Sequence, residues 1–209
     1  MILLEKVFFY FFFLNIIKKN IKGQQSILEL GAGVNSYIRQ LDNSIKITAV
    51  DLFEPSIQFS LNNKLYDFFI IGDVNNLTDY VPQKSFDTVV AFDLIEHLTK
   101  EDGLRLIENM IMVAKHNIII YTPNGFLPQP SHGNNPFQEH ISGWTFNEMK
   151  KLGFNVYGIY GHKKLRKIYA LPTIKPYFIG NFISNLSMLF LRLFNREDLS
   201  FSILCIKTV

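Results

Sequence analysis

Ile27-Leu28-Glu29-Leu30-Gly31-Ala32-Gly33 is the stretch on which the fold turns. An apolar run of strand length ends in Glu-x-Gly-x-Gly and leads into a segment expected to be helical. Glycine at such a turn permits a tight bend and lets a ligand approach the backbone closely. The N-terminus of the helix beyond it favours a carboxylate or phosphate. A dinucleotide-binding loop would want a third glycine at position 36, where this chain has Ser36. That departure counts against a nicotinamide or flavin enzyme.

Outward from this turn, short apolar runs at 26–30, 45–50, 67–71, 86–92 and 117–121 alternate with helical patterns. The alternation points to a largely parallel sheet covered by helices. Buried parallel strands read as continuous aliphatic stretches, as Ile118-Ile119-Ile120 does. A helix is expected over 100–114, capped by Thr99, with Asp102 favouring its N-terminus and Leu104, Ile107, Ile111 and Ala114 at helical spacing. The segment 122–144 lacks periodicity and carries Pro123, Pro128, Pro130 and Pro136. An unstructured loop of that length inside a compact domain is usually functional. Thr145-x-x-Glu148 has the form of a capping box, Gly153 ends the helix it opens, and 154–160 and 200–207 read as strands. The expected organisation is one domain over 1–209: an N-terminal helix within 1–22, a core over 26–160, a helical insertion over 162–199 and a last strand over 200–208.

Three further signals follow the glycine turn. Asp51 closes Ile47-Thr48-Ala49-Val50-Asp51 about 20 residues on, where an acid can accept hydrogen bonds from both hydroxyls of a ribose. It could instead cap the Glu54-Pro55 segment. Ile70-Ile71-Gly72-Asp73-Val74 puts Asp73 and Val74 beside the third strand, where a carboxylate can accept from an exocyclic amine of adenine; Gly-Asp alone is also a common turn. Phe86-Asp87 through Asp93-Leu94-Ile95-Glu96-His97-Leu98 delivers Asp93 to the carboxyl edge of the sheet, where open α/β folds bind ligands.

In this order and spacing the motifs resemble those of the class I, Rossmann-like S-adenosylmethionine-dependent methyltransferases. Glu29-Leu30-Gly31-Ala32-Gly33 is similar to that family's first motif, and Ile119-Ile120-Tyr121-Thr122-Pro123-Asn124 to its fifth. The resemblance covers about 26–160. It implies a three-layer α/β/α fold with a seven-stranded, mostly parallel sheet whose last strand is antiparallel. It implies S-adenosylmethionine as cofactor, held by Glu29, Gly31, Gly33, Asp51, Asp73, Val74 and Asp93. Competing readings are a cofactor-binding module without turnover, a membrane-docked partner protein, and a nucleotide-dependent oxidoreductase.

Methyl transfer from a sulfonium gains mostly from proximity and orientation. A base is needed only if the acceptor must lose a proton. The candidates are His97 and His140; each could equally support its own loop. The spacing of His132, Glu139 and His140 matches no helical His-x-x-x-His or Cys/His ligand pattern, so no metal is expected.

Composition narrows the rest. The 209 residues are 48% hydrophobic and 19% charged, which suits one packed domain. Cys205 is the single cysteine, excluding an internal disulfide and fitting a reducing, cytoplasmic compartment. The net charge of +3 is uneven: 12 Lys+Arg against 16 Asp+Glu over 1–150, then 9 against 2 over 151–209. So basic a tail suits an anionic surface or substrate. The apolar run at 7–17 is shorter than the roughly 20 residues a bilayer span needs, so it is read as a helix that docks on the domain. In the insertion, His162-Lys163-Lys164-Leu165-Arg166-Lys167 precedes a broadly apolar helix opened by Pro176, with Asn181, Ser184, Asn185 and Arg192 on one narrow stripe. Such a helix is either buried or lies at a membrane interface. Nothing matches a base-reading module, so no nucleic-acid partner is expected. The expected acceptor is a small molecule, sugar-like or lipid-like.

Overall fold

The structure is a computed structural model that describes residues 12–131 and 135–209. Strands β1 (Ser26–Leu30), β2 (Lys46–Asp51), β3 (Phe68–Ile71), β4 (Phe86–Phe92), β5 (Ala114–Pro123), β6 (Asn155–His162) and β7 (Ser200–Thr208) form one seven-stranded sheet in the order β3-β2-β1-β4-β5-β7-β6. β7 runs antiparallel to both β5 and β6, and the other six strands are parallel. The helices are α1 (12–20), α2 (Tyr37–Leu41), α3 (Glu54–Asn62), α4 (Leu77–Tyr80), α5 (Lys100–Val113), α6 (Phe146–Lys151) and α7 (Tyr177–Leu193). This is the three-layer Rossmann-like architecture with a helical insertion before the last strand.

Period-two alternation explains why the central strands read as continuous apolar runs. Leu28, Leu30, Val89, Ala91, Ile118 and Ile120 enter one core with Leu106, Met110 and Trp144. Their neighbours Ile27, Val90 and Ile119 enter the other, with Phe13, Ile17 and Ile38. Both faces are therefore buried, as a parallel sheet requires. Phe13 is fully buried and meets Tyr37 and Tyr121 edge to face at 5.2 and 5.0 Å, so the described part of the N-terminal helix does dock on the domain. Residues 1–11, with the start of the apolar run, lie outside the described residues, as does His132.

Several expectations shift in detail. α5 buries Gly103, Leu106, Ile107, Met110 and Val113, whereas Leu104 is 44% exposed, so its inner face is rotated from the one expected. The caps hold: Thr99 Oγ1 accepts from the Asp102 amide at 3.1 Å, and Thr145 with Glu148 forms a capping box. β6 continues to His162 through a bulge, so the insertion begins at Lys163. The sequence left α7 open between burial and a membrane interface, and the structure leaves much of its apolar surface exposed. Its small and polar positions Gly180, Ser184 and Asn185 face inward beside Met188 and Leu191, while Phe178, Phe182, Leu186, Leu189, Phe190 and Leu193 are exposed.

The inversion has a local cause. At the bulge Gly161 adopts φ +72°, and a Cβ there would run into the Ser184 carbonyl, so only glycine admits the helix. Ser184 Oγ donates to the Tyr160 carbonyl at 2.6 Å, the His162 amide donates to Ser187 Oγ at 2.8 Å, and Arg166 Nε reaches the Tyr160 carbonyl and Ser184 Oγ, both at 3.0 Å. The bulge breaks the ladder, and α7 supplies the partners its backbone lacks. Arg166 is thus buried and structural, unlike its neighbours Lys163, Lys164 and Lys167, which are exposed. No described helix is long and apolar enough to cross a membrane.

Candidate active site

Parallel strands end at a common edge, and here that edge gathers the motif residues. The Gly31 amide donates to the Val50 carbonyl, the Gly72 amide to Asp51 and the Asp93 amide to Tyr121, at 2.9, 3.2 and 2.9 Å. These bonds tie the ends of the strands side by side. Gly31 and Gly33 have φ +65° and +54°. The space a Cβ would occupy at Gly33 is open, with the nearest atom, the Gly31 carbonyl oxygen, at 3.9 Å. A cofactor can therefore lie against this backbone.

Asp51 joins the loop to the next helix. Oδ2 accepts from the Gly33 amide at 2.9 Å and Oδ1 from the Phe53 amide at 2.8 Å. Phe53 is the N-cap of α3 and no side chain caps that helix, so the capping role considered from sequence is not taken up: Asp51 holds the amide of the N-cap residue itself. Asp73 Oδ1 accepts from the Asn75 amide at 2.9 Å, capping a short 3-10 turn, and Val74 is buried behind it.

Glu29 and Ser36 explain the missing third glycine. Glu29 is buried, and Ser36 Oγ donates to its carboxylate at 2.7 Å while accepting from the Arg39 amide at 3.3 Å. Ser36 thus caps α2 and fastens the loop to the strand beneath it. Burial pushes the Glu29 carboxyl up to about 8 from its ordinary 4.5, against the lowering effects of Ser36 and Arg39. α2 has only five residues, so the helix expected to hold an anion contributes little macrodipole.

Beyond the β4 edge lies a cavity of about 290 Å³. Asp93, Glu96, His97 and His140 line it together with Tyr37 and Tyr160. Asp93 is exposed with φ +49°. Glu96 is 2% exposed; Oε2 accepts from Thr122 Oγ1 at 2.9 Å, and Oε1 is buried with no hydrogen-bond partner. Burial holds its carboxyl well above the usual range, with Asp93 adding to the effect.

The loop expected to shape the site closes over this cavity. The Ile141 and Ser142 amides donate to the Glu96 carbonyl at 3.0 and 3.1 Å, and Trp144, fully buried, donates Nε1–H to the Ile95 carbonyl at 3.3 Å. His140 Nδ1 lies 2.7 Å from the Leu127 carbonyl and His97 Nδ1 lies 2.9 Å from the Glu139 carbonyl. A carbonyl only accepts, so each Nδ1 carries the proton. The two rings meet edge to face at 4.8 Å. Both histidines picked out in the sequence thus come together, although they sit on separate segments. Glu96 had no role in the sequence reading, although it stands beside His97 in the quoted motif. The tyrosines of the wall and Tyr169 and Ala170 of the insertion were missed; aperiodic sequence carries no signal of which residues face a cavity.

The comparisons agree with this geometry. A family model described as Methyltransferase domain matches residues 28–121. No curated protein matches the sequence. A SAM dependent methyltransferase from Archaeoglobus fulgidus is similar over 99% of each chain, at 18% identity and a TM-score of 0.60. The methyltransferase domain of bacterial CtHen1 is similar over 98% of this chain and 100% of its own, at 15% identity and a TM-score of 0.59. The plantazolicin methyltransferase BpumL, in complex with SAH, is similar over 97% of this chain and 83% of its own, at 15% identity and a TM-score of 0.56. At these identities the solved structures speak for the fold, while the motif series and the family match speak for the chemistry. With glycine loop, strand-end acids and sheet order all in register, residues 28–121 match the methyltransferase domain family, and the whole chain shares the fold of S-adenosylmethionine-dependent methyltransferases.

Proposed function

We propose that this enzyme methylates a small amphipathic acceptor, sugar-like or lipid-like, taken up at the surface of an anionic membrane facing the cytoplasm. The observation that carries the reading is the inverted face of α7. Phe182, Leu193 and Phe194 are 68%, 73% and 67% exposed, on a helix whose polar stripe is turned inward. Exposed apolar patches of this kind mark interaction sites. The insertion also carries exposed Lys163, Lys164, Lys167 and Lys175, and it reaches the cavity through Tyr169 and Ala170. Each lysine near an anionic surface contributes about 1 kcal/mol at physiological salt. Burial of the aromatic and aliphatic face adds roughly 25 cal/mol per Å².

Bound S-adenosylmethionine supplies an electrophilic methyl group. In this reading Gly33 leaves the backbone open to the cofactor while Gly31 makes room for Leu94 at the turn, Asp51 accepts from its ribose and Asp73 from its adenine. Val74 packs on the ring, Asp93 stands at the boundary with the acceptor, and Glu29 braces the loop from beneath. The acceptor enters the cavity beside His97 and His140. With Nδ1 protonated, each imidazole keeps its lone pair on Nε2, the atom that would take a proton from a hydroxyl or amine acceptor.

Flotation with phosphatidylglycerol-containing vesicles tests the membrane part. Binding is expected to fall with salt, with charge reversal at Lys163, Lys164 and Lys167, and with Phe182→Ser plus Leu193→Ser. Arg166 is left intact because it is buried. Protein that stays in solution at low salt, or that runs as a dimer broken by the same serine substitutions, would refute it. Methyl incorporation from labelled cofactor into lipid extracts but not aqueous ones is expected; the reverse would overturn the lipid-like acceptor.

A further inference from the structure

We propose that Glu96, His97 and His140 form a binding site for a divalent transition-metal ion in the acceptor cavity. Each offers one ligand atom, and these atoms lie within 4.8 Å of one another. Nitrogen and oxygen ligands sit about 2.0–2.2 Å from such an ion, so opposed ligands are roughly 4.2 Å apart.

An independent observation points to a ligand. Glu96 is 2% exposed, and its Oε1 is buried without a partner. A buried carboxylate oxygen with no donor is costly, and natural proteins rarely leave one so. Asp93 adds a second carboxylate to the same wall, and none of the described residues lining the cavity is a lysine or arginine. Two carboxyl groups thus face the cavity with no cationic side chain beside them, and a bound cation would supply the partner that Glu96 Oε1 lacks.

The surroundings orient the three ligands as metal sites require. Thr122 Oγ1 holds Glu96 Oε2 at 2.9 Å. The Leu127 and Glu139 carbonyls hold the Nδ1 atoms of His140 and His97, which puts the lone pair of each ring on Nε2. Ligating histidines are commonly fixed in this way through their other nitrogen. Two imidazoles and a carboxylate suit Mn²⁺, Fe²⁺, Co²⁺ or Zn²⁺ better than Ca²⁺ or Mg²⁺. This cluster differs from the His132, Glu139 and His140 set weighed in the sequence. The carboxylate is Glu96, on the turn after β4, and Glu139 contributes only its carbonyl.

What the ion does rests on the cavity being the acceptor site; that it binds does not. In that reading the ion takes an oxygen-bearing acceptor and lowers the pKa of its hydroxyl, and the two imidazoles act as ligands in place of a base. The site can be tested on the untagged full chain, stripped with chelator and titrated with Co²⁺ by visible absorption. S-adenosylhomocysteine calorimetry and thermal melts run in parallel. One Co²⁺ per chain is expected. Binding should weaken about tenfold or more in Glu96→Gln, His97→Ala and His140→Ala, and stay unchanged in His116→Ala, an exposed histidine at the start of β5 outside the cavity. Glu96→Gln is nearly isosteric and can keep the Thr122 bond, so it separates ligand loss from misfolding. No Co²⁺ uptake beside intact S-adenosylhomocysteine binding overturns the site and leaves the methyltransferase assignment standing. Equal uptake by the His97→Ala/His140→Ala double variant also overturns it. Variant-sensitive Co²⁺ uptake without S-adenosylhomocysteine binding upholds the site and removes the acceptor reading.

Discussion

Replacing Glu29 by glutamine should make the protein more stable, and only at neutral to alkaline pH. Glu29 is 3% exposed, and burial pushes its carboxyl up to about 8 from an ordinary 4.5. The folded chain therefore keeps a proton that the unfolded chain releases as pH rises through this window. Where the unfolded state binds fewer protons, stability falls with rising pH. The contribution is fully present below 4.5 and lost progressively towards 8. At about 1.4 kcal/mol per pH unit, the loss between pH 5 and pH 7.5 is about 3 kcal/mol. For a chain of this size that corresponds to roughly 6–12 °C in Tm. Glutamine cannot ionise, and its amide oxygen can still accept from Ser36, so the substitution removes the loss without removing the bond. Melting curves of both proteins at pH 5 and pH 7.5 supply the test. The difference between them should be near zero at pH 5 and favour the variant by several degrees at pH 7.5. A pH-independent difference, or a variant less stable at pH 7.5, would show that Glu29 is ionised in the folded state and refute the reasoning.

Asp51→Ala should weaken S-adenosylhomocysteine binding about 100-fold in calorimetry, since a charged acceptor for two hydroxyls is worth roughly 3 kcal/mol; unchanged affinity would remove Asp51 from the ribose site. Gly161→Ala should cost about 2 kcal/mol or more in urea unfolding, because the positive φ and the Ser184 carbonyl both oppose a Cβ. The same variant should raise hydrogen exchange along α7, and native-like protection there would contradict the packing described. Cys205 is fully buried, with its thiol pushed up by burial, so it should react with a thiol reagent only after denaturation. Stoichiometric labelling in native buffer would place it elsewhere.

Much of this protein was legible in the chain itself, because the deciding signals are local. Strand and helix periods, the Thr99 and Thr145 caps and the Glu-x-Gly-x-Gly turn act over a few residues. Parallel strands share one edge, so reading Gly31, Asp51, Asp73 and Asp93 after successive strands already placed them near one another. Ser36 was read correctly as the absent third glycine, yet its bond to Glu29 needed the fold.

Two things were decided only in three dimensions. Glu96, His97 and His140 meet because the aperiodic loop folds back onto the turn after β4, held by backbone bonds to the Glu96 carbonyl. No period in the sequence encodes that return. The orientation of α7 is the second. Its pattern shows two faces, and hydrophobicity alone would turn the apolar one inward. In the fold, the β6 bulge leaves carbonyl and amide groups that must be satisfied; Ser184 and Ser187 answer them from the polar face of α7, and Arg166 joins them from the turn that follows β6. Unpaired backbone in the interior costs more than apolar surface left outside, and that difference turns the apolar face outward.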